Sequence, residues 1–172
     1  MTTGKLYEGM IHIINDIFTE EERLHLLEDV EPLLVDGDSL AMFYLKEKGR
    51  LPGRQSHSTF HLNPDFKWVH DRFMNNIEQK TNLHLQIVTS WVNYTDGSQK
   101  LNYHIHRDGD YCVVYYLKTF PFINSGTKFE KKFVRVPQNS LLLFPCNLRH
   151  TSPNSIFRYK RYTIALIYNL LK

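Results

Sequence analysis

Between Tyr103 and Lys118 the chain reads Y-H-I-H-R-D-G-D-Y-C-V-V-Y-Y-L-K. Imidazole and carboxylate groups both ligate divalent metals. Here His104, His106 and Asp108 occupy alternate positions just ahead of an apolar run. In an extended strand all three side chains project from one face, which packing alone does not call for. His150 follows the apolar run S-L-L-L-F-P-C and a short loop, so a neighbouring strand could return it to the same place. Two close ligands and one distant histidine offer three cis ligands and leave other positions of the metal open. Open positions are what metal-ion catalysis needs. Structural zinc wants four closing ligands, usually including cysteine, and this chain offers no such set.

Arg161 opens the otherwise apolar run R-Y-T-I-A-L-I-Y. An arginine directed into a β-barrel needs an anionic partner, because a buried unpaired charge is costly. Its planar fork suits a carboxylate. The basic segment K-E-K-G-R-L-P-G-R, from Lys46 to Arg54, reads as a solvated connection with a second possibility, a lid over a site. His57, His61, His70 and His84 lack partner spacing and read as structural. No glycine-rich phosphate loop and no serine or cysteine nucleophile in a recognisable setting is present.

The elements that must position these groups follow from period and punctuation. Met10–Ile14 reads as a short strand. Thr19 with Glu22 forms a capping box, and the helix it opens carries Leu24, Leu27 and Val30 on one stripe before Pro32. Strands are expected over Ala41–Leu45 and His57–Leu62. Asn63-Pro64 starts a second helix, with Phe66, Val69, Phe73 and Ile77 at helical spacing. From Leu83 the pattern turns to strands: Leu83–Tyr94, Leu101–Asp108, Tyr111–Lys118, Lys128–Val136, Ser140–Phe144 and Arg161–Leu171, with His150 in a loop. The layout is α+β, with helical support mostly in residues 1–82 buttressing a β-sandwich or jelly roll mostly in residues 83–172.

The 172 residues are expected to form one domain, and 42% hydrophobic content supports a packed core. The net charge of +3 does not by itself argue for nucleic acid. Two cysteines outside any C-x-x-C pattern suggest a reducing compartment. No apolar run approaches the ~20 residues needed to span a bilayer, and the amino terminus has no signal-like core. The expected location is the cytoplasm. Oligomeric state is not legible.

Four segments then carry a resemblance: W-V-N-Y-T-D-G-S-Q-K-L-N-Y-H-I-H, V-V-Y-Y-L, L-L-L-F-P-C-N-L-R-H and R-Y-T-I-A. In that order they resemble the Fe(II)- and 2-oxoglutarate-dependent oxygenases, specifically small bacterial and phage members related to prolyl hydroxylases. The resemblance covers about Ser90 to Asn169, and I-I-N-D-I-F-T-E-E-E is similar to the usual lead-in of that branch. It implies a double-stranded β-helix of the jelly-roll, cupin-like kind, with the helices packed on one sheet.

The resemblance also implies Fe(II) as metal and 2-oxoglutarate and dioxygen as co-substrates. The product set is succinate, carbon dioxide and a hydroxylated substrate, the last derived from a protein side chain or small molecule. Two ligand registers stay open, His106 with Asp108 or His104 with His106, and His150 is the distal ligand in both. The His-x-His register fits the resembling segments better, with Asp108 as alternative or supporting partner. Arg161 falls where the family grips the distal carboxylate of 2-oxoglutarate. Tyr116 matches a position that helps hold it, and Tyr94 matches a co-substrate-lining tyrosine more loosely. No catalytic residue beyond the metal ligands is implied. The alternative from another class is a non-catalytic cupin-like domain that binds a metal or ligand.

Overall fold

A strand that is apolar on both faces must be covered on both sides, and two runs in this chain have that character. They are β4 (Tyr111–Lys118) and β9 (Arg161–Leu170). The computed structural model, which describes residues 10–35, 53–96, 101–153 and 158–171, pairs these two at the centre of a six-stranded antiparallel sheet. The other strands are β1 (His12–Ile14), β2 (Arg54–Gln55), β3 (Leu85–Thr95) and β7 (Leu141–Pro145), in the order β1-β7-β4-β9-β3-β2. A second antiparallel sheet has the order β6-β5-β8, from β5 (Thr127–Phe129), β6 (Phe133–Val134) and β8 (His150–Thr151). This is the two-sheet α+β double-stranded β-helix.

Period-2 alternation sorts the large sheet's residues. Tyr162, Ile164, Leu166 and Tyr168 of β9, with Val113, Tyr115 and Leu117 of β4, form a core with the helices. The intervening Cys112, Tyr116 and Ile167 join a separate cluster toward the small sheet, with Phe129, Leu142 and Phe144.

Helix α1 (Glu20–Val30) starts where the capping box requires. Thr19 accepts from the Glu22 amide and Glu22 accepts from the Thr19 amide. Its buried stripe is Arg23, Leu26 and Val30, whereas Leu24 is exposed. The helix is therefore turned from the expected Leu24–Leu27–Val30 face. The reason is Arg23, whose Nη1 donates to the Leu117 carbonyl at 2.8 Å while Glu20 neutralises it. A short 3-10 turn follows over Glu31–Leu33, containing Pro32. Helix α2 (Lys67–Thr81) is reached through a 3-10 turn capped by Asn63, and it buries Val69, His70, Phe73 and Ile77. It ends at Asn82 in the left-handed conformation.

Three expected strands differ. His57–Leu62 gives only an isolated bridge at Thr59 and a 3-10 turn at Phe60–Leu62, because Phe60 folds in to meet Phe66 at 4.6 Å between ring centroids. Lys128–Val136 breaks into the β5–β6 hairpin, since the charged Glu130-Lys131-Lys132 makes a turn closed by reciprocal Phe129–Lys132 backbone bonds. Leu101–Asp108 is an arm touching its neighbour at one bridge, His104 with His150. The expected strand at Ala41–Leu45 and most of the basic segment, residues 46–52, lie outside the described residues. Among the described residues no helix is long and apolar enough to cross a membrane.

His70 gives this fold a pH signature. It is buried between Phe60 and Phe73, and neither ring nitrogen forms a hydrogen bond of good geometry. Burial, with His61 nearby, depresses it from 6.5 to about 4. The unfolded chain therefore takes up this proton below about pH 6.5 and the folded chain does not until about pH 4. The contribution is complete above that window and falls as pH drops through it, by about 3 kcal/mol at most. Urea midpoints near pH 7 and about pH 4.5 check this, and the drop between them should be smaller in His70→Leu.

Candidate metal centre

The arm from Leu101 to Asp110 is too irregular for a strand, yet it is held at both ends. His104 and His150 exchange backbone hydrogen bonds, each 3.0 Å. The His106 amide donates to the Cys146 carbonyl at 3.1 Å, and the Cys146 amide donates to the Asp110 carbonyl at 2.9 Å. Asp110 then anchors to β9: its amide donates to Tyr168, and its carboxylate accepts from the Leu170 amide at 2.9 Å. Gly109 lets the arm lie this close. A Cβ there would sit 2.5 Å from Ile167 Cγ2 and 2.8 Å from the Tyr168 carbonyl oxygen.

The result is a cluster of three imidazoles. Ring centroids lie 4.5 Å apart for His104–His150, 5.1 Å for His104–His106 and 5.3 Å for His106–His150. One nitrogen from each lies within 4.8 Å of the others, a spacing that could hold a metal ion. The His150 Nδ1–H donates to the Leu148 carbonyl at 2.8 Å and the His104 Nδ1–H to the Asn102 carbonyl at 3.0 Å. A carbonyl only accepts, so these bonds fix the tautomer and leave each Nε2 lone pair available to a metal. His150 is buried against Phe144 and Phe129. That burial, reinforced by His104, holds it near 3, so it stays a neutral donor.

Asp108 is exposed and does not join the converging group. Alternation had placed it beside the histidines, but the arm stops pairing after His106 and bends at Asp108 toward the contact at Gly109.

Arg161 lies in the same cavity, a space of about 180 Å³ between the sheets that the three histidines also line. It is only 6% exposed. Its Nε donates to the Asn124 carbonyl at 3.0 Å and Nη2 to Gly126 at 3.4 Å, and the guanidinium sits 5.4 Å from the Tyr116 ring centre. Among the described residues no carboxylate pairs with it, and none lines the cavity. Tyr116 is fully buried behind Arg161, sharing a 2.6 Å hydrogen bond with Thr127. Tyr94 is not brought to the cavity. Residues 91, 93 and 95 of β3 line it, so Tyr94 points to the other face, where its ring packs tilted against Tyr162 and lies under the Arg54 guanidinium.

Sequence reasoning missed Trp91, whose ring lies 5.7 Å from His106, and Asn93, Thr127 and Thr163 on the cavity wall. Parity with Arg161 would have found Thr163. Nothing local marks Trp91 or Asn93 before the β3–β9 register is known.

No protein-family model matches the sequence, and a comparison with curated proteins finds no significant match. Solved structures do match. One is a prolyl hydroxylase from Trichoplax adhaerens in complex with a hypoxia-inducible-factor degradation-domain peptide, at TM-score 0.68 and 19% identity, over 94% of this chain and 84% of that one. Another is HygX from Streptomyces hygroscopicus with nickel, 2-oxoglutarate and hygromycin B bound, at TM-score 0.68 and 16% identity, over 98% and 87%. A third is a viral collagen prolyl hydroxylase from Paramecium Bursaria Chlorella virus-1 in a 2-oxoglutarate complex, at TM-score 0.64 and 10% identity, over 92% and 95%. At such identities the likeness is one of fold, nearly end to end.

The close approach at Gly109 predicts a cost. Gly109→Ala should destabilise by about 1–3 kcal/mol, the usual range for overpacking, read as a lowered urea midpoint. It should also weaken Ni(II) binding measured by calorimetry, because the arm bearing His104 and His106 must shift. Gly126→Ala, whose Cβ would meet the Val134 carbonyl oxygen and the Phe133 ring, supplies a comparison outside the arm.

Proposed function

We propose that this cavity is the active site of an Fe(II)- and 2-oxoglutarate-dependent dioxygenase within one domain spanning residues 1–172. His104, His106 and His150 hold the metal and Arg161 holds the distal carboxylate of the co-substrate. The observation that carries the reading is a buried guanidinium with no carboxylate partner among the described residues, in the same cavity as three converging imidazoles. A dicarboxylate spanning the two answers both: one end completes a metal's coordination and the other neutralises Arg161. The shared fold of structures carrying nickel and 2-oxoglutarate is in keeping with this.

Iron(II), when bound, supplies coordination of 2-oxoglutarate and activation of dioxygen. One oxygen atom ends in succinate and the other in the hydroxylated substrate, with loss of carbon dioxide. The chain's own residues do the positioning. Leu148 and Asn102 orient two of the imidazoles through Nδ1. Thr127, through Tyr116, fixes the ring over which Arg161 lies. Trp91, Val114 and Ile167 supply apolar wall that keeps bulk water from the reacting atoms. The molecules bound in the matching structures range from a peptide fragment to hygromycin B. Substrate choice therefore belongs to the surface around the cavity rather than to the fold. The all-imidazole set also suits a non-catalytic divalent-metal domain, which would take up metal without oxygen-dependent succinate.

Anaerobic addition of Fe(II) and 2-oxoglutarate should produce a visible charge-transfer band, and air should then yield succinate. His150→Ala and His104→Ala should abolish both. Arg161→Ala should raise the 2-oxoglutarate requirement by roughly 100-fold, the cost of losing one side of a buried charge pair. Asp108→Asn should leave turnover within about twofold. Inactivity of Asp108→Asn with a functional His104→Ala would select the other register, and a metal-bound protein making no succinate would select the non-catalytic reading.

A further inference from the structure

The modest net charge conceals a partition. Residues 1–110 hold eleven Lys and Arg against seventeen Asp and Glu, whereas residues 111–172 hold ten against one, Glu130. The first part is therefore at −6 and the second at +9, which together give the chain's +3. The single acid is spent on Arg149, at 2.8 Å. Lys118, Lys128, Lys132 and Arg158 are exposed, and among the described residues none has a carboxylate partner. A stretch of chain this one-sided in charge attracts polyanions at long range.

Aromatic residues neighbour some of these charges along the chain, with Lys118 two positions before Phe120 and Arg158 adjoining Tyr159. Phe122 is 80% exposed and is held at φ +65°, a left-handed conformation that a bulky side chain rarely adopts. Its loop is firmly braced. The amides of Ile123 and Asn124 donate to the Phe120 carbonyl, the Asn124 side chain binds the Phe120 amide and the Tyr159 carbonyl, and the Ser125 hydroxyl binds Val136. Arg135 lies over the Phe122 ring at 5.2 Å, and Phe120 stacks on Tyr159 with centroids 4.0 Å apart and planes 13° from parallel. Backbone strain that the surroundings enforce points to function, and here what it produces is an apolar ring presented to solvent. The loop joins the cavity directly, because the Asn124 carbonyl is the acceptor for Arg161 Nε.

We propose that this face binds single-stranded nucleic acid, with Phe122 as a base-stacking platform and Lys118, Lys128, Lys132 and Arg158 tracking the phosphates. An exposed aromatic ring with cations nearby is what unpaired bases on a phosphate backbone require. An acidic peptide would use the lysines but gain nothing from the ring faces. A membrane surface would want several apolar tips, whereas Phe120 is half covered by its stack on Tyr159. Joined to the oxygenase reading, on which this last step rests, a strand bound here presents a nucleotide to the cavity beside Arg161.

The test is fluorescence anisotropy with a labelled single strand of about 15 nucleotides, using full-length protein without metal or 2-oxoglutarate. Failure here therefore leaves the oxygenase reading untouched, and the reverse also holds. Four phosphate contacts predict a slope of about −3 in log affinity against log salt. Phe122→Ser, at an exposed position that should leave thermal melting unchanged, should weaken binding about tenfold without altering that slope. The Lys128→Glu, Lys132→Glu pair should flatten the slope by about half. The proposal is overturned by absence of binding at low salt, or by indifference to Phe122→Ser. Equal or tighter capture of a duplex, of polyglutamate or of anionic vesicles would also overturn it.

Discussion

A positive charge sealed inside the sandwich, with no counter-charge among the described residues, sets the terms for this molecule. Removing a guanidinium from water costs several kcal/mol even after relaxation. The fold meets part of that cost with carbonyls and a phenol: Asn124 and Gly126 accept from Arg161, and Tyr116 lies against it. Gly126, at φ +139°, passes so close to Val134 that no side chain would fit there. The loop between β4 and β5 is thus folded around the guanidinium. What remains unmet is its charge, so the cavity is left with an appetite for an anion. In the same cavity three imidazoles converge, and burial keeps His150 neutral, the right state to receive a cation. Opposite demands within one small space favour a ligand that is itself a chelating anion.

The helical half makes this possible by bearing the sheet's other face. Tyr115, Phe73 and Phe18 pack together across the junction of β4, α2 and the α1 lead-in, Phe18 meeting Tyr115 edge to face and Phe73 tilted against both. Arg23 crosses from α1 to cap the Leu117 carbonyl. That second buried arginine differs from the first in having its own carboxylate, Glu20. The contrast separates a structural cation from one kept for something else.

Much of this was legible in the chain. The capping box at Thr19, the Asn63-Pro64 start and the β4 and β9 runs are local signals, and each marks an element that forms. The inward placement of Arg161 followed from an arginine heading an apolar strand. The rest depends on partners that a linear reading does not supply. Leu24 looked like core until Arg23 proved to have a carbonyl to reach. Asp108 shared parity with His104 and His106, but parity holds only while a strand lasts, and the arm bends there. Tyr94 fell on the wrong side of β3 for the same kind of reason: the face is set by pairing with β9, not by the type of residue. The charged platform escaped notice because a whole-chain total averages its two parts.

The reciprocal bonds between His104 and His150 have a kinetic side. These residues are 46 positions apart, so the cluster cannot exist until a long loop has closed. The arm adds few backbone bonds to those of β4 and β9, and such sparsely bonded segments are the first to open in a native protein. Local opening would scatter the imidazoles while both sheets stay intact. A ligand gripping all three then acts as a latch on the arm, and its affinity is reduced by whatever fraction of molecules has the arm undone.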